Sequence, residues 1–291
     1  MTAALAHKSG RERGMVDGEF LLTERDFRQI AAMLHGDAGI YLPEGKATLV
    51  YSRLAKRLRA LGLASFRDYC ELVETSEGLP ERQKMLAALT TNVTRFFREP
   101  HHFDHLKASV LPPLIDKAKA GGRVRIWSAA CSTGQEPYSA AMTLLEAMPD
   151  AGRYDVRILA TDIDPNVVAE GRAGEYADDT ASAIPTEMRR KWMTRASSGW
   201  RMGEEARELV TFNELNLIGE WPMKGRFDVI FCRNVVIYFE DDTQARVWDR
   251  FTGKMQPGAV LYIGHSERVT GDAAERLKLA GAATTYRLAG G

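Results

Sequence analysis

A run of small residues near the middle of the chain has the composition of a ligand-binding loop. Residues 128–134 read SAACSTG, and they follow the apolar run 124–127 (VRIW). A second apolar run leads into 160–162 (ATD), which places the Asp162 carboxylate at the end of a second strand. In an open α/β sheet, nucleotides bind at the carboxyl ends of the strands, and an acidic residue here holds a ribose hydroxyl. The pattern therefore predicts a nucleoside site at one edge of a sheet.

The usual phosphate-binding motifs are absent. The loop does not read GxGxxG, and no GxxxxGK[ST] sequence occurs in the chain. A ribose site without a phosphate cradle points to S-adenosylmethionine as the ligand. On these features alone, an α/β domain whose acidic strand end binds nothing is the alternative.

The elements around the loop alternate between strands and helices. Strand-length apolar runs occur at 124–127, 156–159, 227–231 and 259–263. Helical patterns lie between them, at 136–148, 165–173 and 241–255. This alternation is typical of a doubly wound α/β domain with a parallel sheet. The polar segment 176–210 interrupts it and is too long for an ordinary connection, so we predict an inserted subdomain there.

Residues 19–90 carry helical patterns only. Thr23 can cap a first helix, and Leu54, Leu58 and Leu61 share one face of a second helix. The neighbouring face is basic and consists of Arg53, Lys56, Arg57 and Arg59. We predict a disordered tail at 1–18, a helical domain at 19–90 and an α/β domain at 91–291.

The composition is that of a globular protein without net charge. Lys and Arg total 39, as do Asp and Glu, so the whole chain has no charge that would attract nucleic acid or an anionic membrane. The three cysteines form no CxxC pair, which suits a reducing compartment. No apolar stretch is long enough for a signal peptide or a membrane span. We expect a cytoplasmic protein that neither binds nucleic acid nor inserts into a membrane.

Four segments resemble blocks of the chemotaxis receptor methyltransferase (CheR) family, in that family's order. They are 90–103 (TTNVTRFFREPHHF), 127–139 (WSAACSTGQEPYS), 160–164 (ATDID) and 231–239 (FCRNVVIYF). The resemblance covers roughly residues 20–288. It implies an all-α N-terminal domain, a Rossmann-like seven-stranded methyltransferase sheet and a small inserted β-subdomain at about 176–210.

The resemblance implies a protein-glutamate O-methyltransferase that uses S-adenosylmethionine. Such an enzyme converts receptor glutamates to methyl esters, releases S-adenosylhomocysteine and serves chemotactic adaptation. A glutamate side chain has a reference pKa of about 4.3, so it is ionised near neutral pH and needs no general base. Catalysis is then expected from groups that desolvate and align the carboxylate.

The resemblance also assigns roles to individual residues. It places Arg98 in the active site, where its donors suit either the substrate carboxylate or that of the methionine moiety. Tyr238 follows a strand end and is expected to hydrogen-bond the substrate carboxylate. A surface charge and a half-buried core tyrosine are the alternatives. The resemblance assigns cofactor contacts to Asn92, Thr94, Arg98, Glu136, Asp162, Asn216, Leu217, Cys232, Arg233 and Asn234. Among them, Asn216 and Leu217 match the family's adenine-contacting pair. Asn92 and Thr94 would serve equally well as helix caps. His101, His102 and His105 include an i, i+4 pair, but no third-ligand pattern accompanies that pair and the family uses no metal, so no metal site is expected.

The implied partner is the cytoplasmic methylation region of chemotaxis receptors. In the family, the N-terminal domain docks this acidic region, a task that suits Arg53, Lys56, Arg57 and Arg59, although a solvated face is the alternative. Some members also capture a receptor C-terminal peptide on the inserted subdomain. The segment 192–208 is short by comparison, which argues against such tethering. We expect a monomer.

Two other functions stay open at this level. One is a regulatory module that senses S-adenosylmethionine without turnover, against which Arg98 and Tyr238 argue. The other is methyl transfer to a small molecule or a nucleic acid. The NPPY-type motif of several nucleic-acid enzymes is absent, and 233–236 (RNVV) stands at the corresponding strand end.

Overall fold

The computed structural model describes residues 13–281 and 283–290, and the chain divides into two compact units. One unit ends at Thr90 and the other begins at Thr91. Residues 1–12 of the predicted tail lie outside the described residues. Within the described part of the chain, no helix combines the length and the apolar character needed to cross a membrane.

The first unit consists of α-helices and a short two-stranded ribbon. The ribbon strands β1 (Gly14–Val16) and β2 (Leu22–Thr23) pair antiparallel. The helices are α1 (Glu24–Ala38), α2 (Ala47–Leu61), α3 (Phe66–Glu74) and α4 (Leu79–Leu89). Residues Gly14–Val16 thus differ from the disordered tail predicted for 1–18, because their main chain pairs with the residues that precede α1.

Local signals set the ends of these helices. Thr23 accepts a hydrogen bond from the main-chain N–H of Asp26, and the Asp26 carboxylate accepts one from the N–H of Thr23, so the predicted cap is a capping box. Helix α2 ends at Gly62, whose left-handed conformation costs glycine little. Leu54 and Leu58 are buried on the apolar face of α2, as their spacing predicts, whereas Leu61 at the end of the helix is exposed.

The second unit contains the α/β domain. Its helices are α5 (Pro100–His105), α6 (Leu111–Lys119), α7 (Gln135–Ala147), α8 (Pro165–Ala173), α9 (Asp178–Ala181), α10 (Thr186–Trp192), α11 (Glu204–Leu209), α12 (Asp241–Lys254) and α13 (Ala273–Arg276). Its strands are β3 (Val124–Ser128), β4 (Val156–Asp162), β5 (Glu175–Tyr176), β6 (Met193–Ala196), β7 (Gly199–Met202), β8 (Val210–Glu214), β9 (Phe227–Cys232), β10 (Met255–Ile263), β11 (Leu277–Leu279) and β12 (Thr285–Leu288). A π-helical segment, Leu106–Val110, joins α5 to α6.

Seven of these strands form one sheet, which confirms the predicted fold. Its order is β11-β12-β10-β9-β3-β4-β8, and the five strands from β10 to β8 run parallel. Strand β12 pairs antiparallel with both of its neighbours. The chain continues from β3 to β4 on one side and later to β9 on the other, so the loop after β3 lies at a topological switch point. Ligands of open α/β sheets bind at this position.

The predicted insertion contains a separate three-stranded sheet. Its strands pair antiparallel in the order β5-β7-β6. At Gly199, the first residue of β7, a Cβ atom would lie 2.3 Å from the carbonyl oxygen of Tyr176. Arg189 and Arg195 each place a guanidinium 5.0 Å from the centre of the Trp200 ring. The insertion is therefore an ordered β-subdomain, as predicted.

The central sheet is buried along its middle strands. Every residue of β9 is buried. The ring centre of Trp127 on β3 lies within 5.1 Å of the ring centres of Trp221, Phe227 and Phe251. Aromatic packing of this kind fixes the strands against the helices. Polar residues gather instead where the parallel strands end, and these ends form the candidate site.

Candidate functional site

The loop after β3 is fixed to the strands on both sides. Residues 129–134 join β3 to α7, and the N–H groups of Ala129 and Cys131 donate to carbonyls of β9 and β4 at 2.8 and 2.9 Å. Gly134 has a φ of 95°, and a Cβ atom there would lie 2.8 Å from the Tyr176 hydroxyl oxygen. Both the conformation and the close approach therefore require glycine.

Asp162 ends β4 and turns its carboxylate toward this loop. Its two oxygens accept hydrogen bonds from the main-chain N–H groups of Ser132, at 2.8 Å, and of Asp164, at 3.1 Å. The residue is buried, and burial raises the pKa of Asp162 above its ordinary value. A carboxylate has about four lone-pair sites, so Asp162 can accept further hydrogen bonds.

The segment that begins at Asn92 is fastened to the same edge. The Asn92 side-chain amide donates to the Asp164 carboxylate at 2.8 Å, and the Asn92 carbonyl accepts from the Ser132 hydroxyl at 2.8 Å. The other Asp164 oxygen caps α8. Thr94 is half-buried and makes no side-chain hydrogen bond within the described residues. Two of the predicted cofactor residues, Asn92 and Asp162, are thus linked through one loop.

A buried ion network lies beside this loop. Arg233, just after β9, donates from Nη1 to the Glu136 carboxylate at 3.0 Å and from Nη2 to the Arg98 carbonyl. Ser128 donates to the other oxygen of Glu136 at 2.7 Å. Only 3% of the Arg233 side chain is exposed, and a Glu99 oxygen lies 3.3 Å from its Nη2. The Arg233 guanidinium therefore joins two further predicted residues, Arg98 and Glu136.

Burial and charge act against each other on the acids of this network. Burial raises the pKa of Glu136, although Arg233 and the Ser128 hydroxyl favour its ionised form. Burial also acts to raise the pKa of Glu99, but Arg233 and hydrogen bonds from His265 outweigh it, so that pKa is lowered. Glu99 has a φ of 56°, a left-handed conformation that is uncommon outside glycine. Its surroundings must therefore hold it in place.

His102 is a buried histidine next to this network. Its Nε2 lies 2.9 Å from the Thr284 hydroxyl, and its Nδ1 lies 3.5 Å from a Glu99 oxygen. Burial, assisted by Arg233, lowers the pKa of His102 to about 3. The imidazole is therefore neutral at neutral pH.

We expect the second unit to lose stability on acidification through His102. An unfolded histidine binds a proton below about pH 6.5, whereas folded His102 binds one only near pH 3, so stability rises with pH between these values. Lowering the pH from about 7.5 to about 5 should reduce the free energy of unfolding by about 2 kcal/mol more than in His102→Gln. Urea unfolding followed by tryptophan fluorescence measures this free energy at both pH values, because all five tryptophans lie in the second unit. An equal reduction in both proteins would contradict the prediction.

The two predicted catalytic side chains keep hydrogen-bonding groups for a ligand. Arg98 donates from Nη1 to the Val93 carbonyl at 3.0 Å, and no other hydrogen bond of its side chain occurs within the described residues. The Arg98 guanidinium is partly exposed. Tyr238, in the 3₁₀ turn Val236–Tyr238, is also partly exposed, and its hydroxyl has no partner in the described part of the chain.

Asn216 and Leu217 follow β8, the strand beside β4. The N–H of Leu215 donates to the Asp162 carbonyl at 2.9 Å, which fixes this part of the chain to the end of β4. The Asn216 side-chain oxygen accepts from the N–H of Ile218 at 3.1 Å, and Leu217 is buried. The pair predicted to contact adenine thus lies at the same edge of the sheet as Asp162.

Glu267, which the sequence did not single out, organises the loop after β9. Its carboxylate accepts hydrogen bonds of 2.6–3.0 Å from the main-chain N–H groups of Asn234, Val235, Val236 and Gly264. Burial raises the pKa of Glu267, while these four donors favour the carboxylate. Asn234 has a φ of 59°, and Cys232 before it is fully buried. The sequence signal that could have identified Glu267 is its position as an acidic residue soon after the end of β10.

The Glu267→Gln variant should lose about 2–3 kcal/mol of unfolding free energy, because an amide nitrogen cannot accept from main-chain N–H groups. Urea unfolding followed by tryptophan fluorescence measures the loss. Glu275→Gln is the matched control, since Glu275 is exposed on α13. Equal stability of Glu267→Gln and the wild type would show that the carboxylate does not hold this loop.

Three of the four basic residues predicted to dock a partner have acceptors within the first unit. Arg53 donates to two main-chain carbonyls around the end of α4. Arg57 makes two hydrogen bonds to Glu81, at 2.8 and 2.6 Å, and Arg59 makes one to another glutamate at 2.7 Å. Lys56 is exposed. Pairing within the unit thus neutralises part of the basic face.

A group of potential metal ligands lies beside the ion network. Glu99, His101 and His102 each place one ligand atom within 4.8 Å of the others. Arg233 already supplies positive charge there, with its Nη2 at 3.3 Å from Glu99. That the protein uses no metal stays a prediction.

Comparison with known proteins matches both units. Residues 92–285 match the family described as CheR methyltransferase, SAM binding domain, and residues 25–90 match CheR methyltransferase, all-alpha domain. A probable chemotaxis protein methyltransferase of Rhizobium etli is 54% identical over 88% of this chain and 96% of its own length. Chemotaxis protein methyltransferase 2 of Pseudomonas aeruginosa is 42% identical over 86% of this chain and 88% of its own. The chemotaxis protein methyltransferase of Escherichia coli is 41% identical over 84% of this chain and 85% of its own.

Proposed function

The chain belongs to the CheR methyltransferase family of S-adenosylmethionine-dependent enzymes, and we propose that its substrates are glutamate side chains of chemotaxis receptors. Each turnover would convert a glutamate carboxylate to its methyl ester and release S-adenosylhomocysteine. The two family matches confirm the family and the cofactor that the sequence blocks predicted.

The attachment of the Arg98 segment to the cofactor edge of the sheet gives the proposal its main support. Asn92 forms hydrogen bonds with Asp164, which follows β4, and with Ser132, which follows β3. Arg233, just after β9, donates to the Arg98 carbonyl. An arginine whose donors suit a carboxylate is therefore fixed beside the edge where a nucleoside binds. Methyl transfer to a carboxylate requires the group that binds the carboxylate and the cofactor that carries the methyl group to lie in one site.

The donor set at this edge fits S-adenosylmethionine. Asp162 has lone pairs left for ribose hydroxyls, and Asn216 with Leu217 would hold the adenine at the next strand end. Glu136 is a buried carboxylate that can balance part of the positive charge of a sulfonium. The cofactor, when bound, supplies a methyl group activated by its sulfonium.

The chain's own residues would position and desolvate the substrate carboxylate. A glutamate has a reference pKa of about 4.3 and is ionised near neutral pH, so no residue has to remove a proton. Arg98 would hold the carboxylate through its remaining N–H donors, and the Tyr238 hydroxyl would donate a hydrogen bond to it. Because Arg233 holds the Arg98 main chain, the arginine is oriented before the substrate arrives.

We place this reaction in the cytoplasm, on the methylation region of the receptors. The first unit would dock this acidic region through its basic face, where Lys56 is exposed and Arg53, Arg57 and Arg59 are paired within the unit. Each ester removes one negative charge from a receptor helix, which reduces repulsion between neighbouring helices and shifts signalling. We expect a monomer that binds no receptor C-terminal peptide through its β-subdomain.

Label transfer from tritiated S-adenosylmethionine to receptor-containing membranes tests this proposal. We expect labelled receptors whose label alkali releases as volatile methanol, because methyl esters hydrolyse in alkali. Membranes without receptors are the control. Binding of S-adenosylhomocysteine without any labelled receptor would favour the alternative function, a module that senses the cofactor without turnover.

A further inference from the structure

One arginine of α12 holds the loop that follows β8. The Arg250 guanidinium donates from Nη1 to the Leu217 carbonyl at 2.7 Å and from Nη2 to the Gly219 carbonyl. It also lies 4.0 Å from the centre of the Trp221 ring. All three contacts fall within residues 216–221, which include the pair assigned to adenine.

The loop also bonds to itself around the same carbonyl. The Trp221 indole N–H donates to the Leu217 carbonyl at 3.2 Å, so this oxygen accepts two hydrogen bonds. The N–H groups of Ile218 and Gly219 donate to the side-chain oxygen and the carbonyl of Asn216, each at 3.1 Å. These hydrogen bonds favour one conformation of the loop, and Arg250 contributes the charged donors.

Arg250 and Trp221 are fixed by what surrounds them. The Trp221 ring centre lies 4.9 Å from that of Trp127 on β3 and 5.0 Å from that of Phe251 on α12. Arg250 is half-buried, and burial lowers the pKa of its guanidinium below its ordinary value. A charged donor that is partly withdrawn from water makes stronger hydrogen bonds than an exposed one. The loop is thus tied to both β3 and α12.

We propose that Arg250 is a positioning residue that holds residues 216–221 in the conformation that binds the adenine of S-adenosylmethionine. This rests on the proposed roles of Asn216 and Leu217. Arg250 acts through the main chain of the loop, because its Nη1 and Nη2 donate to loop carbonyls. Without the guanidinium the loop samples other conformations, and the fraction able to bind the cofactor falls.

The affinity of the full-length Arg250→Met variant for S-adenosylhomocysteine, measured by calorimetry, tests the proposal. Methionine keeps a side chain that can cover Trp221 but removes both donors. We expect Kd to rise about tenfold, and KM for the cofactor to rise similarly while kcat stays within about twofold. Arg250→Lys should recover only part of the affinity, since an ammonium lacks the planar fork. Arg246→Met is the matched control: Arg246 lies one turn earlier on the same helix, and its side chain makes one hydrogen bond, to the Thr243 hydroxyl, within the described residues. This variant should bind like the wild type.

Amide hydrogen exchange of the same variants separates positioning from general stabilisation. In Arg250→Met, exchange should quicken at Ile218 and Gly219 and stay unchanged in β3 and β9. An unchanged Kd, or a weaker Kd accompanied by faster exchange throughout the second unit, would overturn the proposal.

Asn216→Ala shows which inference has failed. If Asn216→Ala and Arg250→Met both leave Kd unchanged, the assigned adenine site is wrong, and the role of Arg250 with it. If only Arg250→Met leaves Kd unchanged, only the positioning role is wrong. Calorimetry needs no receptor, so a failure of the proposed receptor substrate would leave this result intact.

Discussion

Replacing Arg98 with alanine should lower kcat/KM for receptor methylation by about 10²- to 10³-fold, because it removes the charged group that we assign to the substrate carboxylate. The folded chain should change little, since the side chain makes one hydrogen bond, to the Val93 carbonyl, within the described residues. Initial rates of label transfer at several receptor concentrations measure the loss.

Two further variants make the Arg98 result specific. Arg95→Ala removes an exposed arginine of the same motif and should keep nearly full activity. Arg98→Lys keeps the charge but loses the planar fork, so its rate should fall between those of the wild type and Arg98→Ala. Wild-type rates for Arg98→Ala, with an unchanged melting temperature, would show that Arg98 does not contact the reacting carboxylate.

Removing the Arg233 guanidinium should have the largest effect on stability. Arg233→Met leaves the carboxylates of Glu136 and Glu99 without their buried cation, and breaking a buried ion pair in this way costs about 3–5 kcal/mol. Urea unfolding followed by tryptophan fluorescence measures the cost in the second unit. Activity should fall as well, because Arg233 bonds to the Arg98 carbonyl.

An exposed ion pair is the matched control for Arg233. Arg190 and Glu187 lie 3.3 Å apart with side chains 69% and 87% exposed, so Arg190→Met should cost less than about 1 kcal/mol. Adding Glu136→Gln to Arg233→Met should restore part of the stability, because it neutralises one of the two stranded carboxylates. A cost for Arg233→Met as small as that for Arg190→Met would show that the network does not stabilise the site.

The sheet and its binding edge could be predicted because they depend on local patterns. Strands β3, β4 and β9 begin where their apolar runs begin, and Asp162 ends β4 as expected. Strands buried on both faces consist largely of apolar residues, which makes them visible in a sequence. The edge strand β11 and its neighbour β12 have three and four residues of mixed burial, and so short a segment carries too little pattern to be recognised.

The residues that hold the site together could not be predicted from local patterns. Glu267 bonds to N–H groups 31–33 positions earlier in the chain, and Arg250 bonds to carbonyls 31 and 33 positions earlier. Family resemblance assigned Glu136 and Arg233 to the cofactor, and the structure adds an ion pair between them across 97 positions. Such contacts depend on the order of the strands in the sheet. Local sequence patterns do not predict that order.

The most direct test of the proposed reaction is to identify the atom that receives the methyl group. Receptors incubated with the purified chain and S-adenosylmethionine would be digested, and their peptides analysed by mass spectrometry beside an Arg98→Ala reaction. We expect methyl esters on glutamate side chains of the cytoplasmic methylation region, nearly absent from the variant reaction. Methyl groups on another type of side chain, or no methylated receptor peptide despite bound S-adenosylhomocysteine, would contradict the proposed function.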